Sequence, residues 1–387
     1  MAAAPRSVVI LGSTGSIGTQ ALALIARNRA QFTVSALAAG GGNLPLLIEQ
    51  AKRFDVAIVG VAMGDRKVLQ DALPGVEIII SENAAEEIAA IPADVTLNAM
   101  TGSIGLKPTL AALRIGNNVA LANKESLVAG GPLVVAAAKP GQLIAVDSEH
   151  SALAQAMRSG GRSEIARVIL TASGGPFRVR EDLSSVSVDE ALNHPTWNMG
   201  PVVTINSATL VNKGLEIIEA HFLFDIPYSK IDAVIHPQSI VHSMVEFTDG
   251  SVIAQASPPD MTLPISLALN WPERLVGAIT PLQWGTSQRW EFAPVDTLRF
   301  PAIDLARRCG EVGGGAPAAF NAANEEAVAA FISKEISFTD IVEIVDGVLS
   351  QIGGQVSAEL RDVHDVSAVE ENARRVARDM VIRRGRR

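Results

Sequence analysis

The stretch SVVILGSTGSIGTQALALIARN, residues 7–28, decides the fold class of this chain. A short aliphatic run leads into Gly12, Gly15 and Gly18, and a helical pattern of apolar residues follows them. Glycines at such a turn let the backbone bend tightly, and the amides that open the helix can bind a phosphate group. The spacing differs from the Gly-x-Gly-x-x-Gly of dinucleotide-binding folds, so a glycine turn without a ligand is the alternative.

Outward from this stretch, the first 146 residues repeat the alternation of strand and helix. The strand-like runs are residues 7–11, 33–37, 56–59, 77–80, 95–98, 118–122 and 143–146. Because helical segments separate them, we predict an α/β fold with a Rossmann-like, doubly wound parallel sheet. The second run ends in LAAGGGN, residues 37–43, without the acidic residue that would accept the ribose hydroxyls of NAD. Residues 1–146 are therefore predicted to bind NADPH.

Differences in residue composition and pattern divide the remaining chain into three further segments. Residues 147–273 place Gly- and Pro-containing loops between strand-like runs, which predicts a mixed α/β catalytic domain. Residues 274–299 are a proline-spaced linker, and residues 300–387 are Ala-rich and indicate a C-terminal α-helical bundle. We interpret the Arg-rich end, residues 373–387, as a solvated helix end that frays rather than a partner-binding arm.

Composition narrows the class of protein. The net charge of −9 argues against a general nucleic-acid binder. The single cysteine, Cys309, allows no disulfide within the chain and no cysteine-based metal cluster, which fits a reducing cytoplasm. The sequence contains neither a signal-peptide core nor an apolar stretch long enough to cross a membrane. We therefore expect a soluble cytoplasmic protein with no membrane partner.

Two carboxylates follow the last strand-like run of the first segment. In AVDSEHSAL, residues 145–153, Asp147 and Glu149 flank Ser148. If the run is a strand, residues two apart point to the same side, and two like charges held there repel. A cation between them would relieve that repulsion, and a solvated pair in a loop is the alternative.

A second polar cluster lies in TINSATLVNKGLEIIEAH, residues 204–221. Helical spacing places Asn212, Lys213 and Glu216 on one face of an otherwise apolar helix, and Glu219 is expected to be more exposed. With Asp147 and Glu149, the carboxylate of Glu216 could hold Mg²⁺ or Mn²⁺, because these ions prefer oxygen ligands. An ordinary surface Lys–Glu pair is the alternative.

Hydrogen-bond donors near this helix suit a phosphate group. Ser207, Asn212 and Lys213 supply hydroxyl, amide and ammonium groups, and Ser173 precedes two glycines in TASGGPFR. The segment HPTWNMG, residues 194–200, resembles a lid with a donor, an apolar cover and a hinge candidate. Those three residues are His194, Trp197 and Gly200. Trp197 as ordinary core packing is the alternative.

These motifs together resemble the 1-deoxy-D-xylulose 5-phosphate reductoisomerase family. They appear in its order and spacing over nearly the whole chain: GSTGSIG, LANKESLV, DSEHSA, SGGPFR, HPTWNMG, NSATLVNKGLE, HPQSIVHSMV, PDM and NAANEEAVAAF. The resemblance implies an NADPH- and divalent-metal-dependent oxidoreductase that makes 2-C-methyl-D-erythritol 4-phosphate for isoprenoid synthesis. It also implies a homodimer acting on a phosphorylated sugar.

The resemblance further implies a role for each matching residue. The metal ligands would be Asp147, Glu149 and Glu216, of which Glu149 and Glu216 would also act in catalysis with Lys124. The substrate would be held by Lys124, Ser148, Glu149, Ser173, His194, Trp197, Ser207, Asn212, Lys213 and Glu216. The cofactor would be held by Thr14, Gly15, Ser16, Ile17, Gly41, Gly42, Asn43, Asn123, Glu125, Gly200 and Met261.

The chain departs from the family pattern in three places. PVVTIN, residues 201–206, stands where many members have a basic residue and VDS, and Thr262 stands where many have Arg. LAAGGGN is richer in glycine than usual. None of these departures removes an implied metal or phosphate ligand.

Two other functions compete with this interpretation. One is another two-domain NADP-dependent oxidoreductase, such as an aspartate-semialdehyde-type dehydrogenase, which needs a nucleophilic cysteine. Cys309 lies in a helical segment without a nearby site motif. The other is a non-catalytic nucleotide-binding sensor, which would not need three carboxylates.

Overall fold

The structure is a computed structural model that describes residues 4–197, 199–356 and 358–385. The chain forms two compact units. The first contains the described residues of 1–126, 134–151 and 260–280, and the second those of 127–133, 152–259 and 281–387. Within the described ranges, no helix is both long and apolar enough to cross a lipid bilayer.

The strands form two sheets. The first unit holds a seven-stranded sheet of order β4-β3-β2-β1-β5-β6-β7, in which every neighbouring pair is parallel. Its strands are β1 (Arg6–Leu11), β2 (Phe32–Ala39), β3 (Ile58–Val61), β4 (Glu77–Ile80), β5 (Val95–Asn98), β6 (Asn118–Leu121) and β7 (Leu143–Ala145). Each predicted strand-like run overlaps one of them, and the Rossmann-like sheet is confirmed.

The second unit holds a mixed sheet of order β11-β10-β8-β9-β12. Only β8 and β9 run parallel, and the other neighbouring pairs are antiparallel. The strands are β8 (Ile165–Ala172), β9 (Ile231–Ile235), β10 (Val241–Phe247), β11 (Val252–Ala256) and β12 (Ala293–Pro294). The predicted mixed α/β architecture is confirmed.

Helices connect the strands and build the C-terminal bundle. The first seven are α1 (Ser16–Arg27), α2 (Leu44–Phe54), α3 (Arg66–Ala72), α4 (Ala84–Ala89), α5 (Leu106–Ile115), α6 (Lys124–Ala137) and α7 (Ser148–Ala156). The next four are α8 (Val188–Leu192), α9 (Pro201–Ala208), α10 (Val211–Phe224) and α11 (Thr262–Asn270). The last four are α12 (Ala302–Val312), α13 (Ala316–Ile332), α14 (Asp340–Val356) and α15 (Val363–Arg384).

Each unit has its own apolar core. In the first, α1, α2, α3 and α11 pack side chains such as Leu24, Leu47, Leu69 and Leu269 against the parallel sheet. In the second, the mixed sheet and the C-terminal helices share one cluster of buried aliphatic and aromatic residues. The predicted helical bundle is therefore present and continuous with the core of the mixed sheet.

Residues 373–385 of the Arg-rich end are an ordered part of this bundle. Helix α15 buries Ala373, Val376, Ala377 and Val381 among other residues, while Arg374 and Arg378 pair with glutamates of α13. The expectation that this segment frays is therefore wrong for its described part, which ends at residue 385. Its positive charges meet carboxylates that lie about fifty residues away in the chain.

The glycine turn after β1 is closed by backbone contacts. Gly12 has φ +79°, and a Cβ atom there would lie 2.5 Å from the carbonyl oxygen of Ala99. A Cβ atom at Gly18, in the first turn of α1, would lie 2.3 Å from the carbonyl oxygen of Gly12. The turn and the helix therefore pack at a distance that only glycine permits.

Replacing Gly18 by Ala should therefore destabilise the first unit. The added methyl group meets backbone atoms that cannot rotate away, so we expect a loss of about 2 kcal/mol and a fall in melting temperature of about 4 °C or more. Differential scanning calorimetry measures this. Gly353→Ala on α14 is the control, because its Cβ atom meets nothing within 4 Å. Equal melting temperatures of the two variants would contradict the packing argument.

Candidate active site

The first unit gathers the two predicted cofactor-binding segments at one edge of its sheet. Residues 14–17 run from the turn after β1 into the first turn of α1. Gly15 is the N-cap residue of α1, and no side chain there accepts a hydrogen bond from the first amides of the helix. Gly41, Gly42 and Asn43 follow the neighbouring strand β2, and the Asn43 side chain accepts a hydrogen bond from Leu46 N at 3.1 Å. Parallel strands end at the same edge, and the order of this sheet reverses around β1, which is where such folds bind nucleotides.

The side chain of Asn123 makes hydrogen bonds that stabilise the fold. It is 1% exposed, its Oδ1 accepts from Ser126 N at 3.0 Å to cap α6, and its Nδ2 donates to the carbonyls of Met100 and Gly102. The Glu125 carboxylate also accepts from this amide, at 2.8 Å. Any contact of Asn123 with a cofactor would therefore come from its main chain. Met261, before α11, packs partly buried against the core of the same unit.

Asp147 is the centre of a charged cluster in the first unit. One of its oxygens accepts from the amides of Glu149 and His150 at the start of α7, and lies 3.2 Å from His150 Nδ1. The other oxygen pairs with the Lys124 ammonium. Burial alone would raise the pKa of the Asp147 carboxyl, but Lys124 and His150 outweigh it and hold that pKa well below its usual range.

The Asp147 side chain is only 14% exposed, so the alternative of a solvated loop pair is wrong for it. Ser148 donates its hydroxyl to the Glu149 carboxylate beside it. The sequence analysis assigns no role to His150. Its position three residues after Asp147 is the signal that could have indicated the contact between the two side chains. The first unit thus presents an ionised carboxylate, a second carboxylate and an ammonium group together.

A second charged cluster lies in α10 of the second unit. Lys213 and Glu216 form an ion pair with side chains only 3% and 1% exposed, and Asn212 donates to the other oxygen of Glu216. The alternative of a surface Lys–Glu pair is therefore wrong. Glu219 is also buried, at 3% exposure, which corrects the expectation that it faces solvent. Buried charges are retained only where they are paired or bind a ligand.

Strained backbone sets the start of this helix. Leu210, between α9 and α10, has φ +59°, which is rare for a residue other than glycine. This left-handed residue separates the two helices, so that α9 ends just after Ser207 and α10 starts just before Asn212. Ser207, Asn212 and Lys213 therefore lie around one turn of backbone, as the phosphate hypothesis requires.

Ser173, directly after β8, and His194, shortly after α8, come together in the second unit. Ser173 Oγ and His194 Nε2 are 2.9 Å apart, and Gly175 N donates to the same hydroxyl at 3.2 Å. Gly175 has φ +63°, and a Cβ atom there would lie 3.0 Å from the Ser207 carbonyl oxygen, so this loop touches the end of α9. The predicted phosphate-binding serines are therefore brought together.

The described residues of the lid-like segment belong to the second unit. The Trp197 ring is partly exposed and meets the buried His242 edge-on, with 6.2 Å between ring centroids. Gly200 is exposed and precedes the first turn of α9. Because Trp197 lies outside the apolar cluster of this unit, the alternative of core packing is not supported.

Cys309 does not have the properties of a nucleophile. It lies buried in α12, and burial raises the pKa of its thiol to about 12, so the thiolate is scarce near neutral pH. No predicted site residue accompanies it in that helix. This disfavours chemistry that depends on a catalytic cysteine.

Three family models match the chain, and together they cover most of its length. The family model "1-deoxy-D-xylulose 5-phosphate reductoisomerase" matches residues 8–131. The "1-deoxy-D-xylulose 5-phosphate reductoisomerase C-terminal domain" matches residues 143–224, and the "DXP reductoisomerase C-terminal domain" matches residues 256–376.

Curated relatives share about half of the residues over nearly full length. A 1-deoxy-D-xylulose 5-phosphate reductoisomerase of Arthrobacter sp. (strain FB24) is 56% identical and covers 94% of this chain and 96% of its own. That of Streptomyces coelicolor is 53% identical and covers 97% and 93%.

Solved structures agree with the fold. The reductoisomerase from Zymomonas mobilis in complex with NADPH is 42% identical, with a TM-score of 0.90 and coverage of 97% and 99%. A reductoisomerase in complex with NADPH, fosmidomycin and magnesium is 36% identical, with a TM-score of 0.91 and coverage of 97% and 98%.

The environment of His194 gives a titration that can be measured. Its burial first, and the nearby Arg178 guanidinium second, lower the pKa of the imidazole below its ordinary value of about 6.5. Arg178→Met removes the second cause and leaves the first, so we expect the pKa of His194 to rise without passing that ordinary value. A pH titration of the His194 Cε1 proton by NMR measures it.

The matched control is Arg167→Met, whose guanidinium pairs with Asp232 and Glu246. This variant should leave the titration of His194 where it was. An unchanged pKa of His194 in Arg178→Met would refute the assigned cause.

Proposed function

The chain belongs to the 1-deoxy-D-xylulose 5-phosphate reductoisomerase family, and we infer that it carries out that reaction. It is an NADPH- and divalent-metal-dependent oxidoreductase that converts 1-deoxy-D-xylulose 5-phosphate to 2-C-methyl-D-erythritol 4-phosphate, an isoprenoid precursor. The observation that carries the conclusion is 53–56% identity to named reductoisomerases over nearly the whole chain. The alternatives of another oxidoreductase and of a silent sensor are not favoured.

The first unit fits NADPH. Its glycine turn leaves the first amides of α1 without a side-chain cap, and the end of β2 has no carboxylate that would repel a 2′-phosphate. When bound, NADPH supplies the hydride for the reduction. We propose that residues 1–146 form the cofactor domain, with contacts from Thr14, Gly15, Ser16, Ile17, Gly41, Gly42, Asn43, Asn123, Glu125, Gly200 and Met261.

The acidic residues fit a divalent cation by their chemistry. Asp147, Glu149 and Glu216 offer only carboxylate oxygens, which Mg²⁺ and Mn²⁺ prefer. In each unit a poorly exposed carboxylate pairs with an ammonium group, Asp147 with Lys124 and Glu216 with Lys213. These pairs support the proposal that a cation binds at these residues. When bound, the ion stabilises negative charge on the substrate oxygens. We propose these three residues as its ligands, within a catalytic segment of residues 147–273.

The polar side chains of the second unit fit the phosphate end of the substrate. Ser173, Ser207, Asn212 and Lys213 offer hydroxyl, amide and ammonium donors near one turn of backbone, and His194 joins them through Ser173. We propose that they orient the substrate while Trp197 covers it and excludes water. Lys124 and Ser148, beside Asp147, would hold the reacting end of the substrate. The Lys124 ammonium group would stabilise the negative charge that develops there.

The mixed sheet also supports a homodimer. Its edge strand β11 exposes Val252 and Ile253, at 45% and 38%, and an edge strand with apolar side chains is suited to pair with another chain. We propose that two copies meet along this strand. We further propose that the enzyme works in the cytoplasm, as its single free cysteine is compatible with a reducing compartment.

The metal requirement is tested through Glu216→Gln. The protein should oxidise NADPH with 1-deoxy-D-xylulose 5-phosphate only when Mg²⁺ or Mn²⁺ is added. Glu216→Gln keeps the shape of the side chain but loses its charge, so we expect turnover to fall about 100-fold or more. NADPH binding, measured by cofactor fluorescence, should persist because the glycine turn is untouched.

The control for this variant is Glu246→Gln, which removes a carboxylate of β10 that pairs with Arg167. It should keep near-normal turnover. Unchanged turnover in Glu216→Gln would remove Glu216 from the proposed metal ligands, and no NADPH consumption by the unaltered enzyme would reject the proposed function.

The dimer proposal is tested through Ile253→Lys. A charge at the edge of β11 opposes strand pairing between chains, so we expect a dimer-to-monomer shift in analytical ultracentrifugation at micromolar protein. Val276→Lys is the control, because that side chain is 94% exposed and lies outside this sheet. Dimers of undiminished stability in Ile253→Lys would place the interface elsewhere.

A further inference from the structure

The hydrogen bonds around His194 fix which ring nitrogen carries the proton. Nδ1 lies 3.1 Å from Thr196 N and 2.9 Å from Trp197 N. A backbone N–H can only donate, so Nδ1 accepts from both and cannot itself carry a hydrogen. The ring is therefore neutral with its proton on Nε2, in agreement with its partial burial and with the positive charge of Arg178 nearby.

That tautomer determines what the Ser173 hydroxyl can do. His194 Nε2–H donates to Ser173 Oγ at 2.9 Å, and Gly175 N–H donates to the same oxygen at 3.2 Å. A hydroxyl has two lone pairs and one hydrogen, so both of its acceptor positions are used. The Ser173 hydrogen is left to donate outward, and a negatively charged phosphate oxygen is its best acceptor.

We propose that His194 is a positioning residue that makes Ser173 an obligate hydrogen-bond donor to the substrate phosphate and links this to the conformation of residues 196–197. The proposal rests on the proposed function and adds a mechanism to its phosphate end. Thr196 and Trp197 belong to the lid-like segment, so their amides hold the ring only in this conformation of the segment. A ring released from them can move its proton to Nδ1, and Nε2 then takes the Ser173 hydrogen away from the phosphate.

The competing view is that His194 contacts the phosphate directly. In that case His194 and Ser173 would each contribute an independent hydrogen bond to the phosphate. The fold losses of phosphate affinity in the two single variants would then multiply in the double variant. In the positioning view, His194 has no effect on phosphate binding once the Ser173 hydroxyl is gone. A double-mutant cycle separates the two.

The cycle uses Ser173→Ala, His194→Asn and the double variant in the full-length enzyme with NADPH and Mg²⁺. Asn offers an amide oxygen near the Nδ1 position but has nothing at Nε2. We expect each single variant to raise the KM for 1-deoxy-D-xylulose 5-phosphate and the inhibition constant of inorganic phosphate about 10-fold, with kcat changed less than about 3-fold. The KM and the inhibition constant of the double variant should be no higher than those of Ser173→Ala. Ser184→Ala, which removes an exposed hydroxyl of the same unit, is the control.

A double variant that is about 100-fold impaired in both constants would overturn the proposal in favour of direct contact. A second measurement does not depend on activity or on the variants' folding. Nitrogen-15 NMR of the unaltered protein should show His194 protonated at Nε2 and bare at Nδ1, and the opposite tautomer would also overturn it. If the enzyme does not turn over the sugar phosphate, the proposed function fails, while the tautomer and direct binding of inorganic phosphate still test this inference.

Discussion

Each unit places an ionised carboxylate where water is scarce, and the structure around it follows from the need to balance that charge. Moving a carboxylate out of water costs several kcal/mol unless opposite charge and hydrogen bonds replace the lost solvation. Asp147 obtains both from Lys124 and from the amides that open α7. Glu216 obtains both from Lys213 and Asn212 on its own helix. Both carboxylates are therefore held in place by an ammonium group and by hydrogen bonds, which fits the divalent cation proposed for these residues.

Local sequence patterns predicted what depends on local geometry. The seven strand-like runs of the first 146 residues match the seven strands because buried parallel strands are nearly continuous apolar runs. The shared face of Asn212, Lys213 and Glu216 follows from helical spacing alone. Ser173 and the lid-like segment were also located from residue type and glycine content. In each case the residues that decide the outcome lie within a few positions of one another.

The expectations that were wrong depend on distant parts of the chain. Periodicity assigns Glu219 to the exposed side of α10 only if one side of the helix faces water, and this helix is buried on most of its surface. The Arg-rich end looks like a solvated segment until the glutamates of α13 are brought against it. Residues 260–280 belong to the same unit as the parallel sheet, and no local pattern indicates this long-range contact. The tautomer of His194 depends on contacts on both sides of its ring that residue types alone do not reveal.

The two phosphate-binding regions proposed for this enzyme use different physical means. The cofactor region depends on backbone: glycines that tolerate close contact, and helix amides that need no particular side chain. It lacks basic side chains in residues 37–43, so its selectivity rests on the absence of an acid more than on the presence of a clamp. The substrate region depends on side chains whose donor directions are set by buried neighbours, as His194 sets Ser173. Backbone amides accept any phosphate of suitable shape. A hydroxyl that can only donate selects ligands by their capacity to accept a hydrogen bond. That selectivity suits the end of the site that must hold one sugar phosphate in one orientation.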